Sequence, residues 1–272
     1  MLKSIYYYTS DGEPVLNWKG VLIAILSYPL YTVVFGSFVV YPLFVEVYSQ
    51  RNGGIDSMEN LYAWISSNAA AMNFWVYAIS TVFLLVFFGR YLWATVRHAK
   101  EHFTPMIFWA IPVGFVGMSI ISVIVQSIMT KNGLLQQSEN QEALVRISGQ
   151  NVPIFLFTVI VIGPFVEEVF FRAAWFRPLW KKGWVAAVAA VVLNAVLFGL
   201  HHTWSSALLG SALNLSELWL SLLYVPHALS IVYCYAVSKN FTSALLMHMA
   251  INLIASIFMF ATKSPFFLWM IA

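Results

Sequence analysis

Apolar residues dominate this chain in seven long blocks separated by short polar stretches. The blocks run approximately over residues 20–45, 66–89, 106–129, 153–178, 184–203, 216–238 and 243–262. Each is close to the roughly 20 residues that an α-helix needs to cross the hydrocarbon layer of a bilayer. The pattern predicts an all-α fold: a polytopic transmembrane helical bundle of about seven spans, with six to eight as the range. The apolar tail over 265–272 is too short to span and is expected at the interface, where Trp and Phe are favoured.

The first block is longer than the apolar core of a signal peptide and lacks a clear small-residue cleavage site. A polar, aromatic stretch with Asp11, Glu13 and Pro14 precedes it, so it reads as a first spanning helix. We divide the chain into three spans and a polar loop over 1–150, a core of four spans over 151–262, and a short apolar tail over 263–272. The longest loop, 131–150, is polar and rich in Gln and Glu. Neither a repeat nor a low-complexity tract is evident.

Composition excludes a water-soluble globule. Of 272 residues, 61% are hydrophobic and 9% charged, against about 25% charged in soluble domains. Mean hydropathy is +0.79. The net charge is only +3, and the Lys and Arg lie in short loops rather than one patch, which argues against nucleic acid as a partner. The single cysteine, Cys234, excludes an intramolecular disulfide and reads as a small buried hydrophobe.

The basic residues also predict orientation. Counting loops alternately from the N-terminus, one set carries Lys3, Lys19, Arg90, Arg97, Lys100, Arg177, Lys181, Lys182 and Lys239. The other set carries Arg51, Lys131, Arg146 and Lys263. The positive-inside rule then puts the N-terminus in the cytoplasm of a multi-pass cell-membrane protein. Arg177, Lys181 and Lys182 read as topology determinants, and His98 and His102 as interfacial residues of a basic linker.

Ionisable side chains inside the hydrocarbon are costly, about 2.5–3.5 kcal/mol each on insertion scales, and mark function or pairing. The first three spans hold almost none and read as packing or substrate-access elements. The fourth carries Glu167, Glu168 and Arg172, the fifth ends on His201 and His202, and the seventh carries His248 and Asn252. Glu168 and Arg172 are four apart, share a helix face and can pair. Glu167 is turned about 100° from Glu168, so it can point elsewhere and serve as a general base. His248 and Asn252, also four apart, can donate two hydrogen bonds to one oxyanion. Glu217 and His227, in the sixth span near Pro226, have no partner at helical spacing and read as structural.

These residues carry a resemblance. Glu167-Glu168-x-x-x-Arg172, Phe198-x-x-x-His202 and His248-x-x-x-Asn252, in that order on three apolar helices, resemble the CPBP/Abi family. That family comprises type II CAAX prenyl endopeptidases and bacterial bacteriocin-processing and immunity-type proteins. The resemblance covers about residues 150–260 and implies an intramembrane endopeptidase. It implies that Glu167 and His202 bind and activate water, that Glu168 pairs with Arg172 in support, and that His248 and Asn252 form the oxyanion hole.

No cofactor is expected. His-x-x-x-Asn is a poor metal donor set, and the zinc signature His-Glu-x-x-His is absent. Zinc held by Glu167, His202 and His248 is the alternative. Two departures stand out: a second histidine, His201, precedes His202 where a small or apolar residue is commoner, and Ala173 follows Arg172 where Gly is usual.

The expected substrate is a peptide or small protein reached from the membrane, such as a leader, pheromone or bacteriocin peptide in a bacterial member. The short loops, without a targeting extension, point to a bacterial protein. The expected partners are that substrate, the bilayer and another membrane protein. The competing readings are a non-catalytic membrane regulator or immunity scaffold, and a transporter. The complete polar set argues against the former. The lack of an inverted repeat argues against the latter. From the block limits, Glu167, His202 and His248 fall at different depths, further apart than side chains reach.

Overall fold

In the computed structural model, residues 5–101, 103–208 and 214–262 are described. Lys3, His102, Lys263 and the 265–272 tail lie outside the described residues. Among the described residues, nine helices follow a short hairpin: α1 (18–52), α2 (Met58–Ser67), α3 (Ala69–Glu101), α4 (Phe103–Lys131), α5 (Glu139–Ser148), α6 (Val152–Trp180), α7 (Trp184–Leu208), α8 (Leu215–Ser238) and α9 (Phe241–Thr262). All but α2 and α5 are long and apolar enough to cross a membrane, which gives the seven expected spans. The protein is an all-α, multi-pass membrane protein.

The helix ends follow local chemistry. Asn17 starts α1 by accepting from the backbone N–H groups of Lys19 and Gly20. Gly53, at φ 70°, ends α1 in the left-handed conformation that glycine adopts without a steric penalty. The α1 span therefore reaches seven residues beyond the expected end at 45. The basic linker 90–101, read as a loop, instead continues α3. Arg, Lys and Ala favour helix, and no proline intervenes before Pro105. His98, expected at the interface, is buried, with Nδ1 2.9 Å from Asn240 Nδ2.

The polar loop also holds structure. Ser138 and Gln141 cap each other across the first turn of α5. The α5 start is tied to α8, where Glu217 accepts from the backbone N–H of Glu139 at 3.1 Å. Glu217 thus has the structural role expected of it. A two-stranded antiparallel hairpin, β1 (Tyr6–Tyr8) and β2 (Pro14–Leu16), forms within the stretch read as a polar tail. Its Glu13 is buried and paired with Arg177 and, at 3.8 Å, with Lys181. Arg177, read as a loop cation, lies within α6 and is a buried anchor for the hairpin.

Two spans form the centre of the bundle. In α6, 67% of the apolar window is buried, and in α8, 61%; in α1 it is 11%. The outer helices show Phe38, Val86 and Trp184 to their surroundings instead. The main core joins Leu84, Phe88 and Tyr91 of α3 to Val169 and Phe171 of α6, Phe198 of α7, Ile231 of α8 and Met247 of α9. Cys234 is buried in it, with Sγ 3.3 Å from the carbonyl of Ala110.

Candidate active site

The local winding of α6 positions the two glutamates. Pro164 has no N–H to donate, and the helix is π-wound on both sides of it, over Thr158–Ile162 and Val169–Phe176. Wide turns of this kind recur at functional sites. Gly163 matters for a different reason. A Cβ there would stand 3.0 Å from the carbonyl of Thr158 and 3.7 Å from the ring of Tyr77. The tight contact is with the Thr158 carbonyl of the same helix, whereas the Tyr77 ring on α3 would be at ordinary van der Waals distance.

Glu167 is 5% exposed. Its Oε1 accepts from the Tyr77 hydroxyl at 3.2 Å and lies 3.7 Å from His201 Nε2. Its Oε2 is 3.9 Å from His248 Nε2 and has no hydrogen-bond partner among the described residues. One oxygen is anchored and the other keeps its lone pairs.

Glu168 and Arg172 are both wholly buried, with Glu168 Oε2 3.0 Å from Arg172 Nε. The expected pairing is present. The guanidinium also sits over Phe198, 5.1 Å from the ring centre, which compensates part of its desolvation. The other oxygen of Glu168 lies 2.8 Å from His248 Nδ1. His248 therefore bridges the two glutamates.

His202 lies against the ring of Tyr224, stacked at 4.5 Å and 16°, with the edge of Phe198 at 4.9 Å. Its Nε2 is buried and has no hydrogen-bond partner among the described residues. The Asn252 Nδ2 donates to the carbonyl of Val159 at 2.7 Å. An amide nitrogen carries two hydrogens, so a second remains.

These groups surround a cavity of about 120 Å³ lined by Asn73, Tyr77, Asn140, Thr158, Glu167, His202 and Asn252, with apolar walls from Leu144, Val159 and Pro164. At about 30 Å³ per water, it has room for a few. Although the block limits put them at different depths, the fold brings Glu167, His202 and His248 together. The α7 helix runs to Leu208, six residues past His202, so His202 is not at a helix end. The block limit at 203 marked where apolar residues stop, not where hydrogen bonding stops.

All six expected site residues thus converge, but two contacts differ from expectation. The histidines within 4 Å of Glu167 are His201 and His248, and His248 directs both ring nitrogens at carboxylates. Sequence reasoning also passed over Tyr77, Asn73 and Tyr28, whose hydroxyl lies 2.7 Å from His201 Nδ1. Asn73 and Tyr77 are four apart on one helix face, a polar pair inside a span. A search confined to ionisable groups misses it, and Tyr is otherwise a common membrane-interface residue.

The metal alternative can be tested against the donors. Among the described residues, one group brings three such ligand atoms within 4.8 Å of one another: Glu167, His201 and His202. Two imidazoles and a carboxylate suit zinc by type. Tyr28 on the other nitrogen of His201 is the outer partner that a ligating histidine usually has. The set differs from the expected one, with His201 in place of His248.

The sequence is similar to known membrane proteases over the part of the chain that holds these residues. Residues 149–254 match the family described as type II CAAX prenyl endopeptidase Rce1-like. The membrane-embedded CAAX protease MroQ of Staphylococcus aureus is 32% identical over 141 residues, 48% of this chain and 55% of that protein. YdiL of Bacillus subtilis, provisionally named a membrane peptidase, is 25% identical over 153 residues, 56% of each chain. An uncharacterized protein of Mycoplasma capricolum is 24% identical over 199 residues, 70% of this chain and 55% of that protein. The chain thus spans about half the length of the curated relatives it matches. No solved structure matches it significantly. The matched segment holds Glu167, Glu168, Arg172, His202, His248 and Asn252 in the order the motifs require, and over that segment this chain is similar to CAAX-type membrane proteases.

Proposed function

We propose that this protein is an intramembrane endopeptidase in which Glu167 activates water against a peptide bond. The observation that carries this reading is the asymmetry of its carboxylate: Oε1 is held by Tyr77, while Oε2 has no hydrogen-bond partner among the described residues, in a side chain lining a polar cavity. A base needs a fixed carboxylate with an accessible lone pair, within hydrogen-bond reach of the proton it removes.

The reaction follows from these positions. Glu167 takes a proton from water as the water oxygen bonds to the carbonyl carbon, and the C=O π pair moves onto oxygen. His202 and Asn252 line the same cavity, and their side-chain N–H groups would supply donors for that oxyanion. Collapse breaks the C–N bond, and the departing amine takes the proton back from Glu167. His248, bridging Glu167 and Glu168, holds the two carboxylates in register. Arg172 neutralises Glu168, so that Glu167 is the remaining reactive carboxylate.

This reading uses no cofactor. If the enzyme is metal-dependent, Glu167, His201 and His202 would hold the ion, which would supply Lewis-acid polarisation and a more acidic water. The substrate is a peptide or small protein presented from the bilayer, such as a leader, pheromone or bacteriocin peptide, and the Lys/Arg distribution argues for a cytoplasmic N-terminus.

The test is cleavage of a quenched fluorescent peptide library by detergent-purified protein, wild type beside Glu167→Gln, with and without a chelator. The expected result is loss by a factor of about 10²–10⁴ in the variant, with wild-type activity kept in chelator. Cleavage retained by Glu167→Gln would sink the mechanism. Loss in chelator with recovery on adding zinc would favour the metal-dependent form.

A further inference from the structure

We infer that His201 and Tyr28 are positioning residues for Glu167, a two-residue relay that brings the first helix into the catalytic machinery. This deepens the reading above and rests on it. Neither residue belongs to the three motifs, and neither lines the cavity.

Tyr28, on α1, approaches His201 Nδ1 at 2.7 Å. Its ring is held by stacking on Phe170 of α6, 4.2 Å between centres and 26° between planes. A neutral phenol is a good donor, and when it donates to Nδ1 the imidazole must carry its own hydrogen on Nε2. That nitrogen is the one 3.7 Å from Glu167 Oε1. Tyr28 therefore selects the tautomer that presents an N–H to the glutamate. His201 and Tyr77 approach the same oxygen from two different helices, α7 and α3. Held between them, Oε1 is fixed and Oε2 is left for the water.

His202 differs in each respect. It lines the cavity, stacks on Tyr224, and has an Nε2 without a hydrogen-bond partner among the described residues. Adjacent histidines on one helix are turned about 100° apart, which is why one faces the cavity and the other faces α1. An apolar side chain at 201 would leave Oε1 to Tyr77 alone and would leave the Tyr28 hydroxyl without this acceptor.

The experiment uses the full chain in detergent and the library peptide that wild type cuts fastest. The variants are His201→Leu, His201→Gln, Tyr28→Phe, the Tyr28→Phe/His201→Leu double and Glu167→Gln, each checked for its melting temperature. His201→Leu should lower kcat about 10–100-fold, the usual effect of losing an outer-shell partner, with KM within about twofold. His201→Gln keeps an N–H donor and should recover most of that loss. Tyr28→Phe should lower kcat in the same direction, and the double variant should be no slower than His201→Leu, because both act through the one contact of His201 with Glu167. A kcat within about twofold of wild type in His201→Leu, with Glu167→Gln inactive, would overturn this inference and leave the proposed function standing. So would additive losses in the double variant, or equal losses in His201→Leu and His201→Gln. Cleavage by Glu167→Gln would overturn both.

Discussion

His248 Nδ1 lies 2.8 Å from Glu168 Oε1, deep in the bundle, where neither side chain reaches solvent. The contact orients the imidazole, so its other nitrogen faces the neighbouring glutamate, Glu167, at 3.9 Å. Two carboxylates on consecutive positions of one helix are thus coupled through a ring on another. Arg172, on the far oxygen of Glu168, completes a closed set of two acids, a cation and an imidazole. Low dielectric makes such a set strong when complete and costly when a member is lost.

Arg172→Met should destabilise the protein by about 3–5 kcal/mol, the cost of leaving one partner of a buried pair uncompensated. A Glu168→Gln/Arg172→Met double variant should recover part of that loss, since no buried charge remains in the pair. The check is the melting temperature in detergent, together with the monodisperse fraction on size-exclusion chromatography. A double variant no more stable than Arg172→Met would refute the pairing argument.

Tyr77→Phe removes the 3.2 Å hydrogen bond to Glu167 Oε1 and changes nothing else in the ring's packing against Gly163. A fall in kcat of about 10-fold, one lost orienting contact, is expected with KM unchanged. Steady-state kinetics on one library peptide decide it. An unchanged kcat would show that Glu167 needs no anchor from α3.

Gly199→Ala should be poorly tolerated. Its Cβ would lie 2.5 Å from the carbonyl oxygen of Ser221 and 3.2 Å from the carbonyl carbon, so backbone must move. Overpacking of this kind costs about 1–3 kcal/mol or more. The α7 helix would be pushed from α8, taking His201 and His202 with it. Both melting temperature and cleavage should fall, and preserved cleavage would mean that the site accepts this displacement.

Outside the seven spans, Asp11 ties the hairpin to the turn between α8 and α9. The Thr9 hydroxyl, and then Lys239 at 2.9 Å, hold its carboxyl well below the usual carboxylate range. A depressed folded-state pKa adds stability above the unfolded value near 3.9 and loses it as pH falls below that. Melting temperature measured from pH 7 to pH 3 should therefore fall less steeply in Asp11→Asn than in wild type. Superimposable acid limbs would remove Asp11 from the account. The two residues are largely exposed, so the effect should also shrink in high salt.

The sequence by itself determined much. Seven apolar blocks imply seven spans because lipid cannot satisfy an open backbone. Glu168 and Arg172 were legible as a pair because helical spacing alone puts them on one face. The order of the three polar motifs was enough to carry the family resemblance. What only tertiary structure decided is which groups from different helices touch. Sequence separation gives no distance between Tyr77 and Glu167, or between Tyr28 and His201, since each contact depends on how two spans pack. Gly199 governs the packing of α7 on α8, and its meaning lies in what a Cβ would strike. The role of His248 was decided in the same way: spacing aligned it with Asn252, but the fold turned both its nitrogens to carboxylates on α6. Helix periodicity is a local property of the chain, whereas a cavity lined from five helices is a property of their contacts.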